Sequence, residues 1–379
     1  MEEMSVARHF DTIVIGGGTM GTAAAWELGK RGDKALVLEQ FTHVHSLGSH
    51  SGQTRIIRHA YAEGPDYIPL VLRADELWVE LEEEARTKVF HRVGGLELSA
   101  PGGEHARLAR DAAAEHNVPF EWLTAEETRR RWPMFNLPDG WEVLYGADSG
   151  FLNVEPALQA MGDQARVHGV RIQEEEPVQS WRADGEGVRV TTAEGEYTAD
   201  KLIVTAGAWA SRMLGELGLP LQVRRKVLFW LEVEDESRFD PVHMPVYVSD
   251  SELGSIYGFP IFGQLGLKIA RHDGGTPADP DTLDREVRPG EETDPLAFAQ
   301  SIFPGVTGNV VKSAVCMYTM TPDEHFIVDR HPEHANIAIG AGFSGHGFKF
   351  ATAVGEALVD LVSEPLAKPM PILAIDRFG

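Results

Sequence analysis

The chain has 379 residues, 43% of them hydrophobic, and 34 basic against 58 acidic side chains leave a net charge of −24. So negative a field disfavours nucleic acid and anionic membrane surfaces, whereas a zwitterionic amino acid, with no net charge, feels it only weakly. The length exceeds what one small core needs, so two domains, or one with large insertions, are expected.

The N-terminal Met1 to Phe10 is polar and acidic, and no stretch approaches the ~18 apolar residues of a membrane span. The C-terminal Asp376-Arg-Phe-Gly379 is not a sorting address. A lone cysteine, Cys316, has no partner for an internal disulfide, which fits a reducing compartment. The expectation is a cytoplasmic protein with no membrane or nucleic-acid partner.

The first elements are the most informative. Asp11-Thr-Ile-Val-Ile-Gly16-Gly-Gly18-Thr-Met-Gly21 reads as a strand, a glycine turn and a helix start, and Ala35-Leu-Val-Leu-Glu39 as a second strand ending in an acid. This βαβ order is the one that holds a dinucleotide. Gly16 permits the tight turn, Gly18 lets backbone approach a pyrophosphate, and Gly21 lets the helix lie close on the sheet. The helix N-terminus favours the anion, and Glu39 can accept ribose hydroxyls. The motif does not say which dinucleotide.

Next come the loop Gly48-Ser-His-Ser-Gly52 and a helical pattern from Asp66 to Glu84. A strand is expected near Val93–Leu98, with helices near Glu104–Glu115 and Ala125–Arg131, the latter stopped by Trp132-Pro133. The hairpin Gly187–Tyr197 leads into the strand Lys201–Thr205 and the small-residue turn at Gly207, and Pro220–Ser313 is rich in strands. The tail returns to βα character from Ile337, with a helix through Val362. We therefore expect an α/β fold with a discontinuous, Rossmann-like cofactor domain (1–85, 146–219, 320–379) and a mixed-sheet substrate domain (86–145, 220–319).

Three segments can carry chemistry. Gly266-Leu-Lys268-Ile-Ala-Arg-His272 alternates as a strand, putting Lys268 and His272 on one face about 13 Å apart. That face either holds a flat ligand or is simply solvated. Thr54-Arg55-Ile-Ile-Arg58-His-Ala-Tyr61 puts both arginines on one side if helical, either for carboxylate recognition or for surface ion pairs. Gly342-Phe-Ser-Gly345-His346-Gly347-Phe-Lys349 places a glycine turn before a helix, a second anion-binding terminus or a plain structural turn. The 15 histidines show no zinc spacing, and no Walker or G-x-S-x-G pattern supports hydrolysis. No metal site is expected. Cys316 alone reads as core packing.

Taken together, IVIGGGTMG, GSHSGQTRIIRHAYAEG, RWP, ADKLIVTAGAW, YGFP, GLKIARH, AVCMYT, PDEHFIVD and GFSGHGFKF resemble the monomeric sarcosine oxidase family, which includes N-methyltryptophan oxidase. The resemblance spans almost the whole chain. It implies a two-domain flavoprotein oxidase, monomeric, taking a small secondary amine and oxygen. Its FAD would be joined covalently to the matching Cys316 through the flavin 8α methyl, with Gly345, His346, Gly347 and Lys349 stabilising charge on the pyrimidine side. The match to Lys268 is associated with oxygen activation, those to Arg58 and Lys349 with the substrate carboxylate, those to Tyr257, His272 and Tyr318 with the substrate pocket, and those to Thr54 and Arg55 with the flavin surroundings. The implied reaction turns sarcosine into glycine, formaldehyde and hydrogen peroxide. N-methyltryptophan or a cyclic imino acid such as proline or pipecolate is the nearest alternative substrate. A nicotinamide dehydrogenase or a flavin-binding redox sensor would share the N-terminal fingerprint. Where the family's loop commonly reads SHHGDTR, this chain has Ser51 and Gln53, and Val246–Gly254 also departs.

Overall fold

The apolar run ending at Ile15 is flanked on both sides by parallel partners, Ala35–Leu38 and Gly195–Val204. The computed structural model describes residues 8–263 and 266–379; the N-terminal reading of Met1–Ala7 lies outside them. The parallel core extends through Arg171–Gln173 on one side and His334–Ala341 on the other. The hairpin Val178–Thr192 and the strand Ile327–His331 complete an eight-stranded sheet with antiparallel additions. Strands buried on both faces explain why Ile13, Val14, Leu36, Val37, Leu202 and Ile203 read as continuous apolar runs.

The helix Thr19–Lys30 follows the glycine turn and is buried without a break from Met20 to Gly29. Small residues make that possible. A Cβ on Gly355 of the helix Ala351–Ser363 would come within 2.6 Å of the Ala23 backbone, so these two helices cross at close range. Burying both helices on the sheet, at roughly 25 cal/mol per Å² of apolar surface, is the main stabilisation of this half.

A nine-stranded mixed sheet forms the other half. Its long strand Gln222–Val233 pairs with Val306–Met320 and with Leu267–Arg271, and the sheet runs on through Gly254–Phe259, Val246–Ser251, Gly95–Ser99, Glu142–Gly146 and Glu121–Thr124. Its core gathers Leu96, Leu98, Phe229, Leu231, Tyr247, Ile256, Phe298 and Phe303. The expected helices are present at Tyr67–Ala85, His105–Glu115 and Ala125–Arg131, and the last opens on a reciprocal cap between Thr124 and Glu127.

One expectation is corrected. Thr54–Ile57 is a strand, not a helical turn, and pairs with Gly150–Asn153. The β-branched Thr54, Ile56 and Ile57 favour the pleated backbone over the helix. Arg55 and Arg58 are therefore not brought together by helical spacing. Among the described residues no helix is long and apolar enough to cross a membrane.

Candidate active site

A cleft of about 360 Å³ runs from the first glycine turn across Thr205–Gly207 to Met317, Gly342, Gly345 and Gly347. The three fingerprint glycines serve it in different ways. Gly16 sits at φ +93°, where an added Cβ would meet the Thr205 carbonyl oxygen at 2.5 Å, and a Cβ on Gly21 would meet the Gly16 oxygen at 1.8 Å. A Cβ on Gly18 would meet nothing within 4 Å. Packing thus requires the first and last glycine, and the middle one leaves open space at the helix N-terminus, which has no side-chain cap. Buried Glu39 accepts from Gly17 N–H at 2.7 Å and Phe41 N–H at 2.9 Å. Burial pushes its carboxyl up against these bonds. An uncapped helix end, a bare glycine backbone and a fixed acceptor fit the pyrophosphate and ribose of an adenine dinucleotide.

A second cavity, about 730 Å³, shares Arg55, Tyr318, Gly345 and Phe348 with the first. Cys316 lines the second and its neighbour Met317 the first. Gly345, at φ +82°, carries the Tyr318 ring directly on its backbone, since a Cβ there would lie 2.2 Å from the ring.

The charged groups around this junction are buried. Lys268 is only 2% exposed, which removes the solvated-face reading of its strand. Its ammonium donates to the Thr54 carbonyl at 2.9 Å, the Thr54 hydroxyl at 3.0 Å and the Gly52 carbonyl. Burial, then the nearby Arg55, push its pKa well below that of an ordinary lysine. Arg55 donates to the carbonyls of Ser49, Ser51 and Thr54 and forms no ion pair among the described residues. Arg58 is ion-paired, but inside the protein: it is 4% exposed, its Nη2 donates to both Glu63 carboxylate oxygens at 2.6 and 2.8 Å, and its Nη1 has Glu97 at 3.5 Å. Burial opposes its charge, and Glu63 and Glu97 outweigh burial. The surface-ion-pair reading fails for both arginines.

Lys349 donates to the His346 carbonyl at 2.9 Å and the Tyr61 hydroxyl at 3.3 Å. Burial and then Arg58 bring its pKa down to about 7. His346 is pushed down to about 3, chiefly by burial, and is neutral at physiological pH. Its Nε2 lies 3.0 Å from the Glu324 carbonyl, which can only accept, so Nδ1 accepts from the Tyr61 hydroxyl at 2.7 Å. His272, brought down to about 4 by burial, stands 3.4 Å from the Tyr318 hydroxyl, with Tyr257 beside it in the same cavity.

Arg55, Arg58, Tyr257, His272, Cys316, Tyr318, Gly345, His346, Gly347 and Lys349 line the two adjoining cavities, whereas Thr54 and Lys268 line neither and are bonded to each other. Gly16, Gly18, Gly21 and Glu39 stand at the far end of the first. Sequence reasoning missed Glu63, Glu97, His105 and Lys226. Glu97 was visible as an acid inside the apolar strand Gly95-Leu-Glu-Leu-Ser99; it is 3% exposed and takes a 2.6 Å bond from His105. Lys226 is a buried charge in a strand that also buries its neighbour Arg225.

Residues 11–361 match the family described as FAD dependent oxidoreductase. The chain belongs to that family of flavoproteins. Over 362 residues, 94% of this chain and 93% of the relative, it is 43% identical to monomeric sarcosine oxidase of Bacillus sp. (strain B-0618). It is 34% identical over 368 residues, 96% of each chain, to N-methyl-L-tryptophan oxidase of Yersinia pestis (strain Pestoides F). The solved structure of NikD, an amino acid oxidase, superposes with a TM-score of 0.85 at 24% identity, covering 97% of this chain and 98% of that one, a likeness of fold.

Proposed function

We propose that this chain is an FAD-dependent oxidase of N-methyl amino acids, with sarcosine as its first substrate: sarcosine, water and dioxygen give glycine, formaldehyde and hydrogen peroxide. The observation that carries the reading is a pair of buried cations, Arg58 and Lys349, in a cavity that also holds neutral His272, Tyr257, Tyr318 and the Cys316 thiol. The cations anchor the substrate carboxylate, Arg58 through its planar fork once it releases Glu63 and Lys349 as a point charge. The phenols and His272 line the space left for the amine and its methyl group.

A bound FAD would supply the two-electron acceptor for the amine and the route of those electrons to dioxygen. Gly16, Gly18, Gly21 and Glu39 hold its adenine half, Thr54, Arg55 and the Gly345–Gly347 turn its flavin half, and Cys316 is the attachment point. We assign this binding mainly to segments 1–85, 146–219 and 320–379, and the substrate side mainly to 86–145 and 220–319, with Arg58 and Lys349 reaching the substrate from the first set and Cys316 the flavin from the second. Lys268 favours oxygen reduction, because an ammonium that burial disfavours gains stability as negative charge appears beside it. Positioning and electrostatics supply the rate, and no protein base is needed. The protein works as a cytoplasmic monomer in this reading.

A second reading is a larger N-methyl or cyclic imino acid. The 730 Å³ cavity and the N-methyl-L-tryptophan oxidase relative favour it. A peroxide-coupled screen of sarcosine, N-methyltryptophan, proline and pipecolate decides. The highest kcat/KM is expected with sarcosine; a higher value with any other sinks the first reading, and peroxide from none sinks both.

A further inference from the structure

The strands Gln222–Val233 and Val306–Met320 run antiparallel, and their register sets Lys226 directly opposite Cys316. Directly opposed residues share a face of the sheet, with Cβ atoms about 4.5–5.5 Å apart. Lys226 is 5% exposed. Its ammonium donates to the carbonyls of His272 at 2.7 Å and Asp273 at 2.5 Å, and it lies 5.0 Å from the Tyr318 ring centre. Gly275 packs on its stem: a Cβ there would come within 2.9 Å of the Lys226 Cδ. Among the described residues no carboxylate pairs with Lys226, so carbonyl dipoles orient the charge and no ion pair cancels it.

We propose that Lys226 is a positioning residue for cofactor attachment, stabilising the Cys316 thiolate from the neighbouring strand. This rests on Cys316 being the attachment point. Attachment needs the thiolate. Forming the Sγ–C bond to the 8α carbon removes the thiol proton and one methyl hydrogen, and the two electrons released go to dioxygen as hydrogen peroxide.

The thiol faces strong opposition. Burial raises its pKa, and Arg55, Lys226, Lys268 and Arg285 act against burial, with the phenols of Tyr257 and Tyr318 alongside. Lys226 is itself brought down to about 8, by burial first, with Arg271 and Arg224 adding to the fall and Asp273 opposing it. It therefore carries its charge through the neutral range. Arg55 and Lys268 stand on other segments and are engaged by backbone oxygens of the 49–54 loop. Lys226 is the cation of the paired strand whose register faces the cysteine, with Arg225 opposite Met317 and Arg224 opposite Tyr318.

The test uses the full chain produced without riboflavin. Alkylation of the only cysteine by iodoacetamide is followed across pH in one sample, and in a separate, unalkylated sample FAD is added and the acid-precipitable yellow fraction is timed. With Lys226→Met the alkylation midpoint moves up by about one pH unit, and the thiolate fraction at neutral pH and the attachment rate each fall roughly tenfold. Lys226→Arg restores both. A lysine that only braced the 272–273 turn would change the melting temperature and leave the midpoint in place. An unchanged midpoint with an unchanged attachment rate overturns the proposal. Wild-type protein that takes up no acid-stable flavin overturns the Cys316 reading instead, while the alkylation profile still reports on Lys226. Lys226→Gln, which keeps a donor for both carbonyls, carries the same measurement should the methionine variant fail to fold.

Discussion

The two ends of the long cavity system are built on opposite plans. At the glycine turn the cleft is lined largely by backbone: Gly16, Gly18 and Glu39 come from one βαβ unit, and Thr205–Gly207 join them. At the Cys316 end, side chains from at least five separate segments converge, and their charges are buried. Arg58, Lys268, Lys349 and Lys226 are each at most 6% exposed. A backbone site is rigid and nearly neutral, so it suits tight, permanent binding of a cofactor. A cluster of buried cations is costly to maintain and responds to any anion or developing negative charge, which is what chemistry on a carboxylate-bearing amine requires.

Substitutions at the charged end should therefore change kinetics, and those at the glycine end should change cofactor retention or stability. The largest effect is expected for Lys268→Met, which slows reoxidation by oxygen about 10²–10³-fold in stopped-flow mixing while anaerobic reduction by substrate persists. Unchanged oxygen reactivity would remove Lys268 from that role. Arg58→Lys gives up the fork to a carboxylate and raises KM for sarcosine roughly 10–100-fold, with a smaller change in kcat.

At the other end, Gly21→Ala places a methyl on the Gly16 carbonyl and costs about 1–3 kcal/mol in denaturant unfolding. Gly18→Ala meets only open space, so it leaves the melting temperature of flavin-free protein in place and weakens FAD binding. If the two alanines behaved alike, the division between packing and ligand-facing glycines would be wrong.

The smallest effect concerns pH. Lys349 is charged below about pH 7 and neutral above it. The affinity of an amine-free carboxylate such as methoxyacetate should accordingly fall as pH rises through 7, by at most about tenfold per unit. Arg58 stays charged throughout, so binding persists, and Lys349→Met should abolish the slope in a flavin-absorbance titration.

The same contrast explains what was legible in the sequence. The dinucleotide end could be read directly because its residues are neighbours in the chain and each has a conformational or steric reason. At the other end, spacing alone left Lys268, Arg55 and Arg58 open between function and solvated surface, and the helical condition for Thr54–Arg58 is not met, because β-branched Thr54, Ile56 and Ile57 pair as a strand with Gly150–Asn153. Only the family resemblance drew those residues, with Cys316, into one site. Glu97 and Lys226 escaped because each matters through a partner distant in the chain or across a sheet: Glu97 beside Arg58, Lys226 opposite Cys316. Register between remote strands is long-range information that a single sequence shows weakly.

The proposed activity is oxidation of an N-methyl amino acid with return of the electrons to oxygen. It is tested most directly by mixing the yellow protein anaerobically with sarcosine and then admitting air. The visible flavin absorbance is expected to bleach and then to recover with release of hydrogen peroxide. Yellow protein that sarcosine, N-methyltryptophan, proline and pipecolate all fail to bleach would contradict it, and would leave a flavin-binding protein that is not an amine oxidase.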